Sequence, residues 1–291
     1  LGQEFFVCTE ECRMGTFAHE FAHNLGLPDL YDTDYSSSGV DFWSIMASGT
    51  YGEFKGRSNP THFDPWSKYK LGWISPLQIN PTTQIEDIRL DAVEVGGDVV
   101  MINISPEEYF LIEYRDNDAG YYDRSLPTSG VLIWHIDESV HNEYGYDNSD
   151  ENRPTVRLLQ ADGLDELAKN YPGDAGDVYA AGDRFSASTN PAATGYDGTD
   201  IGINLSIGSV NDGQHFAVLS FIDQLAYLYE IDWIWTDSTN DGFYDQIVFT
   251  YDIDTAFNSQ DVVVKLIAEG VYQSMFYDEV LESHSISGYD V

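Results

Sequence analysis

Apolar positions define the first element. Met14, Phe17, Ala18, Phe21, Ala22 and Leu25 recur at intervals of three and four, which predicts a helix over residues 13–25. Gly26 stops it and Pro28 keeps it from resuming. A loop rich in Gly, Ser, Asp and Tyr runs to about Asp64, and residues 65–71 read as a second helix opened by proline and ended by Gly72. Beyond Leu77 the texture changes to short alternating or β-branched runs. Residues 99–104, 109–114, 131–136, 156–159, 216–222, 247–253 and 262–267 read as strands, parted by turn clusters such as Asn117-Asp118-Ala119-Gly120. The pattern predicts an α+β chain whose helical start leads into antiparallel sheets. We expect boundaries that give regions 1–76, 77–223 and 224–291, the last being an acidic sandwich-like domain.

Composition narrows the partners. The 291 residues carry 13 Lys+Arg against 50 Asp+Glu, a formal net charge of −37. With 42% hydrophobic residues the chain is too apolar for an acidic disordered tail, so it is expected to fold. Its field repels phosphate backbones and anionic headgroups, which argues against nucleic-acid and polybasic membrane roles. After Arg184 the one basic residue is Lys265, against 17 acids in residues 185–291. Such a region either binds cations or presents a solvated surface suited to a saline medium. Cys8 and Cys12 admit a disulfide, buried thiols or a metal pair, zinc chelation by them being the least favoured. The longest apolar-rich stretch, 216–235, is broken by Asp223, Glu230 and Asp232, so no transmembrane helix is expected. Residues 1–6 lack both an initiating Met and a signal-peptide form, and the expectation is a chain that begins inside a longer protein.

His19-Glu20-Phe21-Ala22-His23 lies on the first helix. Spacing of four puts both imidazoles on one face a turn apart, within reach of a single Zn²⁺, and leaves Glu20 free to take a proton from a metal-bound water. Gly26 allows a sharp turn, so that Asp29 can swing back as third ligand in an H-E-x-x-H-x-x-G-x-x-D pattern. Asp32 and Asp34 lie close enough in sequence to compete for that place or to hold calcium. Seventeen residues after Asp29, Met46 sits in the segment Trp43-Ser44-Ile45-Met46-Ala47-Ser48-Gly49, a candidate hydrophobic floor beneath the metal. Tyr51 is a candidate transition-state stabiliser, with Tyr31 and Tyr35 as competitors and plain packing as the alternative.

Residues 19–32, the 43–49 segment and Pro65-Trp66-Ser67-Lys68-Tyr69-Lys70-Leu71-Gly72-Trp73 resemble the immune inhibitor A family of secreted bacterial metallopeptidases. Segments 109–115, 123–127 and 130–137 extend the resemblance downstream, to roughly residues 14–215. It implies the C-terminal part of a metzincin-like catalytic domain followed by antiparallel β-sandwich-type domains, in an extracellular zinc endopeptidase made with a signal peptide and a propeptide. The implied zinc ligands are His19, His23 and Asp29, and the implied general base is Glu20. One departure stands out: about 18 residues precede His19, where the resemblance implies a sheet that holds substrate. A truncated chain that binds zinc poorly and cleaves little by itself is the expectation.

Asp237, Asp241 and Asp245, with Gly242 between them, form the start of a calcium loop whose twelfth position is Val248 instead of Glu, so a shorter calcium turn is expected. A solvated Asx-rich hairpin is the plain alternative, and residues 173–177 are a weaker candidate. His135 reads as a hydrogen-bonded core histidine, and Glu113 with Arg115 as a sheet-surface ion pair. The preferred function is zinc-dependent hydrolysis of proteins or peptides. The rival is a non-catalytic, calcium-stabilised adhesion or carbohydrate-binding module, favoured by 20 Tyr and 6 Trp.

Overall fold

The computed structural model describes residues 12–80, 87–141, 148–211 and 213–221, together with four strands between 226 and 286. Contacts divide the chain into two units, Leu1–Ile222 and Asp223–Val291. No described helix is long and apolar enough to cross a membrane.

Helix α1 (Met14–Asn24) follows Arg13, its N-cap, and ends at Leu25. Its buried side is made of small residues: Ala22 is 1% exposed and Ala18 packs against the core. Gly15 lies so close to the next segment that a Cβ would stand 2.0 Å from the Thr50 carbonyl oxygen. The larger apolar residues of the same period, Met14, Phe17, Phe21 and Leu25, are exposed, with Phe17 and Phe21 stacked. A loop with two 3₁₀ turns, Asp41–Trp43 and Ser48–Tyr51, leads through a short hairpin of β1 (Glu53–Phe54) and β2 (Arg57–Ser58). Helix α2 (Pro65–Lys70) then starts as its sequence dictates. Pro65 occupies a position whose N–H would have had no partner, and the Asp64 carboxylate caps the Ser67 N–H at 2.8 Å.

The strands that follow are β3 (Leu77–Gln78), β4 (Ile88–Asp91), β5 (Val100–Asn103), β6 (Glu108–Arg115), β7 (Gly130–Asp137) and β8 (Val156–Leu158). After them come β9 (Arg184–Ser186), β10 (Asn204–Asn211) and β11 (Phe216–Phe221). One sheet runs β3-β5-β6-β7-β8, antiparallel except for the β3–β5 pair. The other runs β4-β11-β10-β9 and is antiparallel throughout.

All eight residues of β6 and all eight of β7 are buried, because the five-stranded sheet is covered on both faces. On one face Leu111, Leu132 and Trp134 join Trp43, Met46 and Trp66 from the helical and loop segments. On the other, Phe110, Ile112 and Ile133 join Phe185, Leu205 and Leu219 of the four-stranded sheet. Full burial of such side chains stabilises the fold by about 1.5–3 kcal/mol each.

This covering corrects the reading of Glu113 and Arg115 as a surface pair. Both are 0% exposed. The Arg115 guanidinium bonds the Glu113 carboxylate at 2.8 Å, the Asp123 carboxylate at 3.0 Å and the Phe63 carbonyl at 3.0 Å, while Lys68 Nζ reaches Glu113 at 3.2 Å. Alternation in β6 therefore reports two buried faces, one of them ionic.

In the unit from 223 onward, β12 (Ala226–Thr236) pairs antiparallel with β13 (Gln246–Thr255), and β14 (Gln260–Lys265) with β15 (Val280–Ile286). The calcium candidates Asp237, Asp241 and Asp245 lie outside the described residues.

Candidate metal centre

The end of α1 builds the site. Gly26 takes φ +99°, a conformation that a residue with a Cβ resists, and no neighbouring atom would obstruct a Cβ there, so backbone freedom alone calls for glycine. Its N–H donates to the His23 carbonyl at 2.9 Å and the Leu27 N–H to the Ala22 carbonyl at 3.2 Å, the paired bonds of a Schellman turn. The reversal carries Asp29 back over the helix.

His19 Nε2, His23 Nε2 and Asp29 Oδ1 then face one another at 3.1, 3.1 and 3.2 Å. Four ligands at about 2.0–2.1 Å around a tetrahedral zinc are about 3.3 Å apart, so the three atoms are spaced for one such ion. Their chemistry agrees with the spacing. His19 Nδ1–H donates to the Ile45 carbonyl at 2.8 Å and His23 Nδ1–H to the Leu27 carbonyl at 2.8 Å, which leaves each Nε2 with its lone pair turned to the centre. Asp29 Oδ1 is buried without a hydrogen-bond partner. Three lone-pair donors converging with no hydrogen between them fit a cation. The Asp29 carboxylate beside it raises the His23 pKa. Burial works to push the Asp29 carboxyl up, but the two imidazoles outweigh burial and hold it well below the ordinary range.

The surrounding residues fall into place unequally. Met46 is fully buried in the core shared with Trp43 and Trp66. Its segment is tied to the centre through backbone: Ile45 orients His19, and the Met46 carbonyl accepts the Leu30 N–H at 2.9 Å beside Asp29. Glu20 lines a cleft of about 410 Å³ next to His19, and Tyr31, Tyr35 and Tyr51 line it too. Tyr31 stands nearest the centre. It stacks on His19, with ring centroids 6.4 Å apart, and its hydroxyl is pushed up to about 12 by burial and the Asp29 carboxylate. Tyr51 is 67% exposed.

Asp32 and Asp34 are not drawn into the triad. Asp32 is 2% exposed and accepts the Asp34 N–H at 2.9 Å, the Ser36 hydroxyl at 2.8 Å and the Ser37 N–H at 2.7 Å, so it holds its own loop together. Asp34 accepts the Ser36 N–H. Cys12 is disulfide-bonded. His135 is the buried core histidine expected, bonded to Glu108 at 2.8 Å and stacked on Tyr196. Asp162, Glu166 and Asp174 also bring carboxylate oxygens within 4.8 Å of one another, on a more exposed surface that includes the 173–177 turn. The sequence did not point to the carbonyls of Leu27 and Ile45. Backbone groups carry no residue-type signal, and only the Gly26 turn hinted at the first.

Comparison with known proteins places relatives at this same stretch. Residues 2–74 match the model of the immune inhibitor A peptidase M6 catalytic domain. The pre-pro-metalloprotease PrtV of Vibrio cholerae serotype O1 is 50% identical over 74 residues, covering 23% of this chain and 8% of that protein. Immune inhibitor A of Bacillus thuringiensis subsp. alesti is 40% identical over 67 residues, covering 22% of this chain and 10% of the relative. The chain thus spans about a tenth of the length of the curated relatives it matches. These matches hold the metal triad, the Met46 segment and α2; the resemblance read at 109–137 lies beyond them.

Proposed function

We propose, on the premise that residues 2–74 are related to the immune inhibitor A peptidases, that the chain carries the metal centre of a secreted zinc endopeptidase. The observation that carries this reading is the convergence of His19 Nε2, His23 Nε2 and Asp29 Oδ1 at 3.1–3.2 Å with both imidazoles oriented from behind. A zinc ion held there would polarise a peptide carbonyl and lower the pKa of a water toward 7.

Each part of the chain has a task in that reaction. Glu20, one residue after the first ligand and on the cleft wall, accepts the proton of the attacking water and delivers it to the leaving amine. The Tyr31 hydroxyl, which bonds the Asp29 carboxylate in this structure, would donate to the oxyanion on turning from it, and its raised pKa keeps the phenol protonated across the neutral range. Tyr51, on the same cleft, is the second candidate for that donation. Met46 and Trp43 share the buried core with Ile45, whose carbonyl holds His19 Nδ1.

Zinc binding and peptide hydrolysis are both parts of this proposal. Glu20→Gln should lower peptide hydrolysis by about 10²–10⁴-fold with zinc content unchanged. Loss of zinc from the variant would make Glu20 a ligand and sink the assignment of roles. Calcium in the acidic turns stays a proposal for Asp237, Asp241 and Asp245. A rise in melting temperature on adding calcium, reversed by chelator, would support it.

A further inference from the structure

The cleft beside the metal centre has acidic walls and no counter-cation in them. Glu20, Asp32 and Asp41 line its 410 Å³, and neither lysine nor arginine does. A divalent ion at the triad is offset in part by Asp29, so the walls stay negative.

The carboxylates differ in what they have left to offer. Asp32 is committed to three hydrogen bonds within its loop, and these outweigh burial and hold its pKa low. Asp41 is 8% exposed and has only neutral partners: the Gly173 N–H at 2.9 Å, the Ser48 side chain and the Phe42 N–H. Burial outweighs those bonds and pushes its carboxyl up, as for an acid that lacks a countercharge. No ion pair among the described residues reaches it. A second observation, independent of charge, lies in the same wall: Thr50 is 4% exposed and its Oγ1 has no hydrogen-bond partner. A buried hydroxyl left without a partner calls for one, and a water or a ligand group in the cleft can supply it.

We propose that this cleft is a subsite for a cationic side chain of the substrate, arginine or lysine, with Asp41 as its countercharge and Thr50 Oγ1 as a further acceptor. The inference rests on the peptidase reading for its substrate but not for its test. A cationic donor group entering the cleft would satisfy both the uncompensated carboxylate and the orphaned hydroxyl, whereas a neutral or acidic side chain would leave the first and repel the walls.

The test is equilibrium binding of two fluorescein-labelled pentapeptides to the 291-residue chain at near-physiological salt, with zinc and with chelator. One peptide has a central arginine, and the other has citrulline, its neutral isostere. The arginine peptide should bind on the order of tenfold more tightly. Asp41→Asn should erase the difference. Asp34→Asn, which removes the same charge from an exposed position outside the cleft, should leave it intact. Thr50→Val should weaken the arginine peptide by a smaller factor, and it serves as the second variant if Asp41→Asn does not fold.

Equal binding of the two peptides by the unmodified chain would overturn the proposal. So would equal losses in Asp34→Asn and Asp41→Asn, which would reveal attraction by overall charge alone. Failure of the peptidase reading has a different signature: no zinc bound, or no peptide hydrolysis, with the arginine–citrulline comparison still standing.

Discussion

Two clusters of charged residues in this chain are built from similar parts and end in opposite states. At the metal centre, two imidazoles and a carboxylate point bare acceptor atoms at one another. In the interior network, Glu113, Asp123, Arg115 and Lys68 pair every charge with an opposite one. Within the described residues, the first cluster has no lysine or arginine among its partners. The second is complete already and joins layers of the fold, since Arg115 holds the Phe63 carbonyl and Asp123 the His62 N–H. Function is thus read from the imbalance of charge and hydrogen bonding, and burial alone does not reveal it: Glu113 and Arg115 are more deeply buried than any member of the triad.

The contrast can be broken most forcefully in the network. Arg115→Met strands the buried Asp123 carboxylate and leaves Glu113 with Lys68 alone, and should cost about 3–5 kcal/mol of unfolding free energy in denaturant titrations. Asp29→Asn, measured the same way under chelation, should cost less, because the half-buried carboxylate has only the two imidazoles as countercharge and no lysine or arginine. Equal losses in the two variants would mean that the triad is also a structural ion cluster.

A smaller effect concerns pH. Burial first, and the neighbouring Asp123 next, push the Glu94 carboxyl up to about 9, while the Arg115 charge works against them. A folded pKa raised above the unfolded value of 4.5 means stability present below that value and lost as pH rises toward 9. Glu94→Gln should therefore flatten the decline in stability between pH 5 and 9, relative to the unmodified chain. An unchanged slope would show that Glu94 is ionised in the fold.

How much of this was legible in the sequence differs between the same two regions. The triad was written in spacing: His19 and His23 one turn apart, Gly26 free to take positive φ, Asp29 just beyond it. The orienting carbonyls of Leu27 and Ile45 were not, because every residue has a carbonyl and only the three-dimensional path selects one. Glu113 and Arg115 were misread because alternation in a strand marks two faces without saying that both are covered. Strands β4 and β9 were missed for want of length, and β10 because Gly208 and a register shift between Ile207 and Ser209 interrupt its period. The fully buried β6 and β7 stood out as apolar runs.

The central claim is that His19, His23 and Asp29 hold one zinc ion, and the most direct test is the metal content of the purified 291-residue chain. Because the three ligand atoms already converge in this chain, one tightly held zinc per chain is the predicted result, against the poor binding expected from the sequence, and it should be retained in Glu20→Gln and lost in His23→Ala. A chain that binds no zinc, or a His23→Ala variant that binds it undiminished, would contradict the assignment.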